Sequence, residues 1–133
     1  MLVEDEPDIQ LITRIALERV GGYEVLVCGS GAEALRSAPN YAPDLILLDN
    51  MMPGMNGIST MAALRAVPEL AATPVVFITA SNENEMRLGL IRRGALGVIF
   101  KPFEPRELIE QIVSIWQSGN PAPDDRELPA SSG

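Results

Sequence analysis

The 133-residue chain has 47% hydrophobic and 21% charged residues with a formal net charge of -8, a composition that supplies core for one folded domain and is far from that of a disordered polymer. The acidic balance argues against direct binding to nucleic-acid phosphates, and no apolar run or basic leader marks a membrane span or an export signal, so a cytoplasmic protein with cationic or basic partners is expected. With no histidine and with Cys28 as the only cysteine, Ser-His-Asp and Cys-His catalysis, imidazole zinc sites, a cysteine-based metal site and an intramolecular disulfide are excluded, and carboxylates, hydroxyls or lysine are expected to carry any chemistry.

Short apolar runs alternate with longer stretches of helical period, the pattern of a doubly wound α/β sheet. Met1 to Val3 reads as a first strand. Pro7 or Asp8 opens a helix in which Ile9, Ile12, Ile15, Ala16 and Val20 recur at helical spacing before Gly21-Gly22 stops it. "YEVLVC", Tyr23 to Cys28, is the second strand, and Cys28 is expected to be a small buried hydrophobe near its end. Ser30 and Glu33 stand in capping-box relation at the start of a second helix that ends near Ala38 to Asn40.

"DLILLD", Asp44 to Asp49, reads as a third strand, and its unbroken apolar run implies that both faces are covered. Asn56 caps a third helix carrying Ile58, Met61, Ala62 and Leu64, which stops before Pro68. "PVVFIT", Pro74 to Thr79, is a fourth buried strand, followed by a helix capped by Ser81 and running to about Arg93, with Gly89 in its middle. "GVIFK" from Gly97 is the fifth strand, and Pro105 opens a last helix with Leu108, Ile109, Ile112, Val113, Ile115 and Trp116 on a broad apolar arc. From Ser118 onward the chain is rich in Pro, Ser and acids and has no period, so residues 1–117 are expected to form the domain and residues 118–133 a disordered tail or cut linker.

In an open parallel sheet the carboxyl ends of the strands share one edge, and ligands bind in the crevice outside it. The polar residues that end these runs are Glu4-Asp5, Asp49, Thr79 and Lys101. Any one of them has a plain explanation, because strand ends enter solvent and Glu4 with Asp5 would complement the following helix N-terminus. Together, three carboxylates beside one ammonium repel one another unless a cation sits among them. An all-oxygen donor set points to a hard ion, Mg²⁺ or the similar Mn²⁺. No Gly-rich phosphate-binding motif follows the first strand, which speaks against a nucleotide or flavin. With the cation and Lys101 present, a phosphoryl group could instead be attached by nucleophilic attack of the Asp49 carboxylate, with the Thr79 hydroxyl donating to one of its oxygens.

The acidic pair in "VEDEP", the run "DNMMPGMNG" that fits D-x-x-M-P-x-x-[DN]-G, "ITA" ending on Ala80, and "GALGVIFKPF" with Lys101-Pro102 occur in order. With these motifs the chain resembles the receiver domains of two-component response regulators over Met1 to Gln117. The resemblance implies a flavodoxin-like sheet of five strands in order 2-1-3-4-5 with five helices. It implies Asp49 as phosphoacceptor, Asp5, Asp49 and the Met51 backbone carbonyl as direct ligands of Mg²⁺ (or Mn²⁺), and Glu4 acting through bound water. It also implies Thr79 and Lys101 as phosphate-contacting groups and a cis bond at Lys101-Pro102. The expected donor is a sensor histidine kinase, a phosphotransfer protein or a small phosphodonor. The expected output is altered binding of a downstream partner or effector through the face of helix four, strand five and helix five, with a phosphorylation-promoted homodimer as one form.

Two departures stand out. Val98 occupies a position that is often aromatic in the family and that reports the hydroxyl's movement. The first strand is also short, so upstream apolar residues are expected to stabilise it. Two competing functions remain open at this level. One is an Asp-nucleophile phosphohydrolase, disfavoured because Asn50 and Met51 replace a D-x-D pattern; the other is a receiver-like adaptor that binds protein without being phosphorylated.

Overall fold

The computed structural model describes residues 1–52, 54–80 and 83–119. Five parallel strands, β1 (Leu2–Val3), β2 (Val27–Cys28), β3 (Ile46–Asp49), β4 (Val75–Thr79) and β5 (Gly97–Phe100), form one sheet in the order 2-1-3-4-5. This is the flavodoxin-like arrangement that the resemblance implied. The helices are α1 (Pro7–Ile15), continued by a π-helical turn at Ala16–Val20, α2 (Gly31–Tyr41), α3 (Gly57–Arg65), α4 (Asn84–Arg92) and α5 (Pro105–Gly119).

Alternation along each strand divides the core in two. Val3, Ile46, Leu48, Phe77 and Val98 pack on one face with α2, α3 and α4, while Leu2, Leu47, Val76, Ile78 and Ile99 pack on the other with α5 and the turn after α1. Both sets are buried, which is why the strands read as continuous apolar runs. Cys28 is buried at the end of β2 as expected.

The caps behave as the sequence suggests. Ser30 Oγ accepts from Glu33 N–H at 3.1 Å, and the Glu33 carboxylate reaches back to Gly29 N–H at 3.0 Å. Asn56 Oδ1 accepts from Ser59 N–H at 2.8 Å. At the far end of α3, the Arg65 guanidinium donates to the carbonyls of Ala71, Thr73 and Gly94 and ties three segments together.

Several boundaries differ from expectation. β2 begins at Val27 rather than Tyr23, and β3 at Ile46 rather than Asp44; the register of both with β1 starts at Leu2. Helix α2 runs through Pro39 to Tyr41, where Ala42 adopts a left-handed conformation (φ 53°) and its N–H bonds Ala38 O. A short 3₁₀ turn at Pro68–Leu70 was not expected. Helix α4 starts at Asn84 with Glu83 at the cap position and no side-chain cap bond; the expected cap, Ser81, lies outside the described residues. Helix α5 extends through Ser118 to Gly119, two residues beyond the expected domain end, and residues 120–133 lie outside the described residues.

The buried face of α1 also differs. Thr13, Ala16 and Leu17 face the core, whereas Ile12, Ile15 and Val20 are about half exposed, as is Leu11. The apolar arc of α5 is largely core, with Leu108, Ile112 and Trp116 buried and Ile109, Val113 and Ile115 packed beside them.

Two glycines make a contrasting pair. A Cβ at Gly57 would lie 2.7 Å from Asp49 O and 2.8 Å from Phe77 Cε1, whereas one at Gly89 would meet nothing within 4 Å. Gly57→Ala is therefore expected to cost about 1–3 kcal/mol by overpacking. Gly89→Ala is expected to gain roughly 0.5–1 kcal/mol from helix propensity. Urea unfolding of both variants checks this, and shifts in the same direction would contradict it.

Candidate functional site at the carboxyl edge of the sheet

Four of the five strands lead to the polar residues at this edge: β1 to Glu4 and Asp5, β3 to Asp49, β4 to Thr79 and β5 to Lys101. Beyond β1, Glu4 N–H donates to Cys28 O at 3.0 Å, so the β2 partnership continues into the site. The Glu4 carbonyl accepts from the Gln10 side-chain amide on α1, and Glu4 Oε2 accepts from Glu6 N–H at 3.3 Å. Glu4 is thereby almost fully buried, at 1% exposed. Asp49 closes β3 opposite Ile78 and is 2% exposed, and Met51 N–H donates to its Oδ1 at 3.3 Å. The Met51 side chain points into solvent, 71% exposed.

Thr79 ends β4 in a buried position. Lys101 follows β5, and its N–H donates to Thr79 O at 2.8 Å, which fixes the lysine backbone to the strand carrying the threonine. The Lys101-Pro102 bond is cis. Lys101 Nζ lies 3.2 Å from Glu4 Oε1 and 3.4 Å from Asp49 Oδ1. One ammonium thus bridges two buried carboxylates contributed by strands that are neighbours in the sheet.

The electrostatics follow from this crowding. Burial first, and the Asp49 carboxylate second, raise the Glu4 carboxyl to about 7, against the opposing pull of Lys101 and the Glu6 N–H. For Lys101, burial acts downward, but Asp49 and Glu4 outweigh it and hold the ammonium above its ordinary value. One carboxylate oxygen from each of Glu4, Asp5 and Asp49 can be chosen so that all lie within 4.8 Å of one another. Asp5 Oδ1 is buried and has no hydrogen-bond partner among the described residues. A buried carboxylate oxygen left without a donor is costly. A hard divalent cation would satisfy it and screen the cluster, so the donor chemistry fits Mg²⁺ or Mn²⁺.

Two further residues could not be found from the sequence. Gln10 anchors the Glu4 backbone, and the buried Asn50 side chain donates to Met86 Sδ on α4 at 3.2 Å. Neither contact follows a motif, and the second joins residues 36 apart through a weak thioether acceptor. Val98 is buried in the core between β4 and α4, opposite Phe77.

A family model described as the response regulator receiver domain matches residues 1–113. The DNA-binding response regulator MtrA of Mycolicibacterium smegmatis is 38% identical over 113 residues, covering 84% of this chain and 47% of that protein. The phosphate regulon transcriptional regulatory protein PhoB of Pseudomonas aeruginosa is 33% identical over 133 residues, covering 100% of this chain and 57% of that protein. The chain therefore spans about half the length of these curated relatives. Among solved structures, the chemotaxis protein CheY4 of Vibrio cholerae superposes with a TM-score of 0.80 at 30% identity, covering 86% of this chain and 94% of that one.

The raised Glu4 pKa gives a signed expectation. Folded Glu4 keeps its proton to about pH 7, whereas the unfolded carboxyl releases it near 4.5. In the metal-free chain its stabilising contribution is complete below the unfolded value and is lost as pH rises through 7. Protons and Mg²⁺ compete for the same cluster, so calorimetric titration is expected to give about tenfold tighter Mg²⁺ binding at pH 8 than at pH 6. Equal affinities would remove Glu4 from the metal site.

Proposed function

Because this chain belongs to the response regulator receiver domain family, we propose that it receives a phosphoryl group on the Asp49 carboxylate and signals through the resulting change in partner binding. The observation that carries this is the buried Glu4–Asp5–Asp49 cluster with Lys101 Nζ within 3.4 Å of Asp49. In the step itself an Asp49 carboxylate oxygen attacks phosphorus, forming an O–P bond. The donor's N–P or O–P bond breaks, and its electron pair leaves with the donor. The Lys101 ammonium, already beside Asp49 Oδ1, exchanges a carboxylate partner for a phosphoryl oxygen, and the Thr79 hydroxyl donates to another.

Asp5, Asp49 and the Met51 carbonyl would hold Mg²⁺ or Mn²⁺, with Glu4 linked through water. When bound, the ion supplies positive charge against the transferring oxygens. The chain in this reading assists its own phosphorylation and dephosphorylation without acting on a separate substrate. Full occupancy of the acidic, hydroxyl and amine positions speaks against a purely structural adaptor, and no observation favours a phosphohydrolase.

The natural donor is a sensor histidine kinase or phosphotransfer protein in the cytoplasm. No helix among the described residues is long and apolar enough to cross a membrane. Leu11, Ile12 and Ile15 form an exposed apolar stripe on the same helix whose Gln10 holds Glu4. That stripe suits docking of a donor helix beside the crevice. Output runs through the α4, β5 and α5 face, either to a downstream partner or effector region or to a second copy. Residues 1–117 are taken as the receiver unit and the remainder as tail or linker. With Val98 buried in place of an aromatic, the Asn50–Met86 contact links Asp49 to α4.

Incubation with Mg²⁺ and acetyl phosphate or phosphoramidate, followed by intact-mass measurement, is expected to show one phosphoryl adduct that is absent from Asp49→Asn. Multiple turnover of phosphate esters would instead establish an enzyme. With the cognate kinase, Ile12→Lys paired with Ile15→Lys is expected to slow transfer at least tenfold while leaving labelling by the small donor unchanged. Parallel loss of both would show that the stripe is structural. Equal sedimentation with and without a phosphoryl mimic would discard the homodimer.

A further inference from the structure

The connection between β1 and α1 is Glu4 to Glu6, and it carries two of the clustered carboxylates, Glu4 and Asp5. Whatever fixes its backbone decides where they point. On the β2 side the parallel ladder runs from Leu2 N–H to Leu26 O at 2.9 Å and from Glu4 N–H to Cys28 O at 3.0 Å. By that register the next bond would take Ser30 N–H to Glu4 O. The chain is by then leaving the sheet, with Gly29 N–H held by the Glu33 carboxylate and Ser30 capping α2. The Glu4 carbonyl is reached from α1 instead, by the side-chain amide of Gln10. That amide lies against the departing strand, since a Cβ on Gly29 would be 3.7 Å from Gln10 Nε2.

Gln10 holds the connection at two points. Its backbone N–H donates to Glu6 O at 2.9 Å in the first turn of α1, where Glu6 at the cap position supplies no side-chain bond. Its side chain reaches back over the same residues to Glu4 O. A peptide unit is planar, so holding the Glu4 carbonyl oxygen also fixes the Asp5 N–H and the direction in which Asp5 leaves the chain. Asp5 depends on that support, because its buried Oδ1 has no hydrogen-bond partner among the described residues. The Glu4 carboxylate, by contrast, is steadied directly by Glu6 N–H and by Lys101 Nζ.

We propose that Gln10 is a positioning residue for the cation centre, aiming the Asp5 carboxylate at the metal by anchoring the peptide that precedes it; this rests on reading the Glu4–Asp5–Asp49 cluster as the Mg²⁺ site of a phosphoacceptor. The amide holds a peptide, and the peptide holds the ligand. Removing the amide leaves Glu4 O without its donor and frees the peptide to rotate. The same bond ties the cation to α1, the helix that carries the exposed Leu11, Ile12 and Ile15. An amide with a purely structural part would lower stability when removed and leave the affinity for the cation alone.

Calorimetric titration of the whole chain with magnesium chloride separates the two. Gln10→Met keeps the length and helix propensity of glutamine but has no donor. Its Mg²⁺ affinity is expected to fall about tenfold, as is usual when a group supporting a metal ligand is lost. Arg65→Met, which removes bonds at the other edge of the sheet, is expected to lower the melting temperature and leave Mg²⁺ affinity unchanged. Labelling of Gln10→Met by acetyl phosphate is expected to need correspondingly more Mg²⁺ for its half-maximal rate, with the rate at saturating Mg²⁺ unaltered. In the unsubstituted chain, the Gln10 side-chain amide signals of the proton–nitrogen correlation spectrum are expected to shift on Mg²⁺ addition in step with the Asp5 N–H. A Gln10→Met chain that melts lower yet binds Mg²⁺ as tightly as its parent would overturn the proposal, as would Gln10 amide signals that do not move. A parent chain that binds Mg²⁺ but takes up no phosphoryl group would remove the phosphoacceptor reading alone, because the Mg²⁺ titrations decide the part played by Gln10 without it.

Discussion

The structure is organised around a cluster of like charges that the fold gathers and only partly neutralises. Glu4 and Asp49 are buried at 1% and 2% exposure and share a single ammonium. Burial first, and the neighbouring Asp49 carboxylate second, raise the Glu4 carboxyl to about 7. The surrounding scaffold works against that repulsion. Glu4 is held by β2 through its N–H, by α1 through its carbonyl and by the Glu6 N–H through its carboxylate. The backbone of Lys101 is fixed to β4. An acidic cluster that exceeds its one ammonium suits a divalent cation.

Parallel topology makes the gathering possible. Residues 97 positions apart, Glu4 and Lys101, meet because every strand delivers its carboxyl end to the same edge. This is also why the cluster was legible in the sequence. Polar residues that terminate apolar runs identify the edge, and the covered runs themselves identify the strands. Asp49, Thr79 and Lys101 lie at the ends of β3, β4 and β5 as the runs indicated.

What was not legible depended on neighbours rather than on local pattern. The apolar spacing of α1 permitted two faces, and contacts with α5 chose Thr13, Ala16 and Leu17, leaving Ile12 and Ile15 outside. The residues from Tyr23 to Leu26 have strand composition, yet the pairing with β1 is confined to Val27 and Cys28. The second helix, expected to end near Ala38 to Asn40, persists through Pro39 to Tyr41, although a proline there removes a helical bond and crowds the preceding turn. The Asn50–Met86 contact joins chemically weak partners that no spacing rule connects.

Arg65 gives the two edges of the sheet different mechanical characters. Its guanidinium alone fastens the end of α3 to the carbonyls of Ala71, Thr73 and Gly94, drawn from the entry to β4 and the turn before β5. Backbone acceptors do not titrate and do not exchange partners with ligands, so this seam is indifferent to pH, metal and phosphate. The opposite edge carries, beside its backbone bonds, three carboxylates gathered around one ammonium. The Arg65 seam thus holds one end of the sheet with groups that carry no titratable acceptor, while the charged groups gather at the other end.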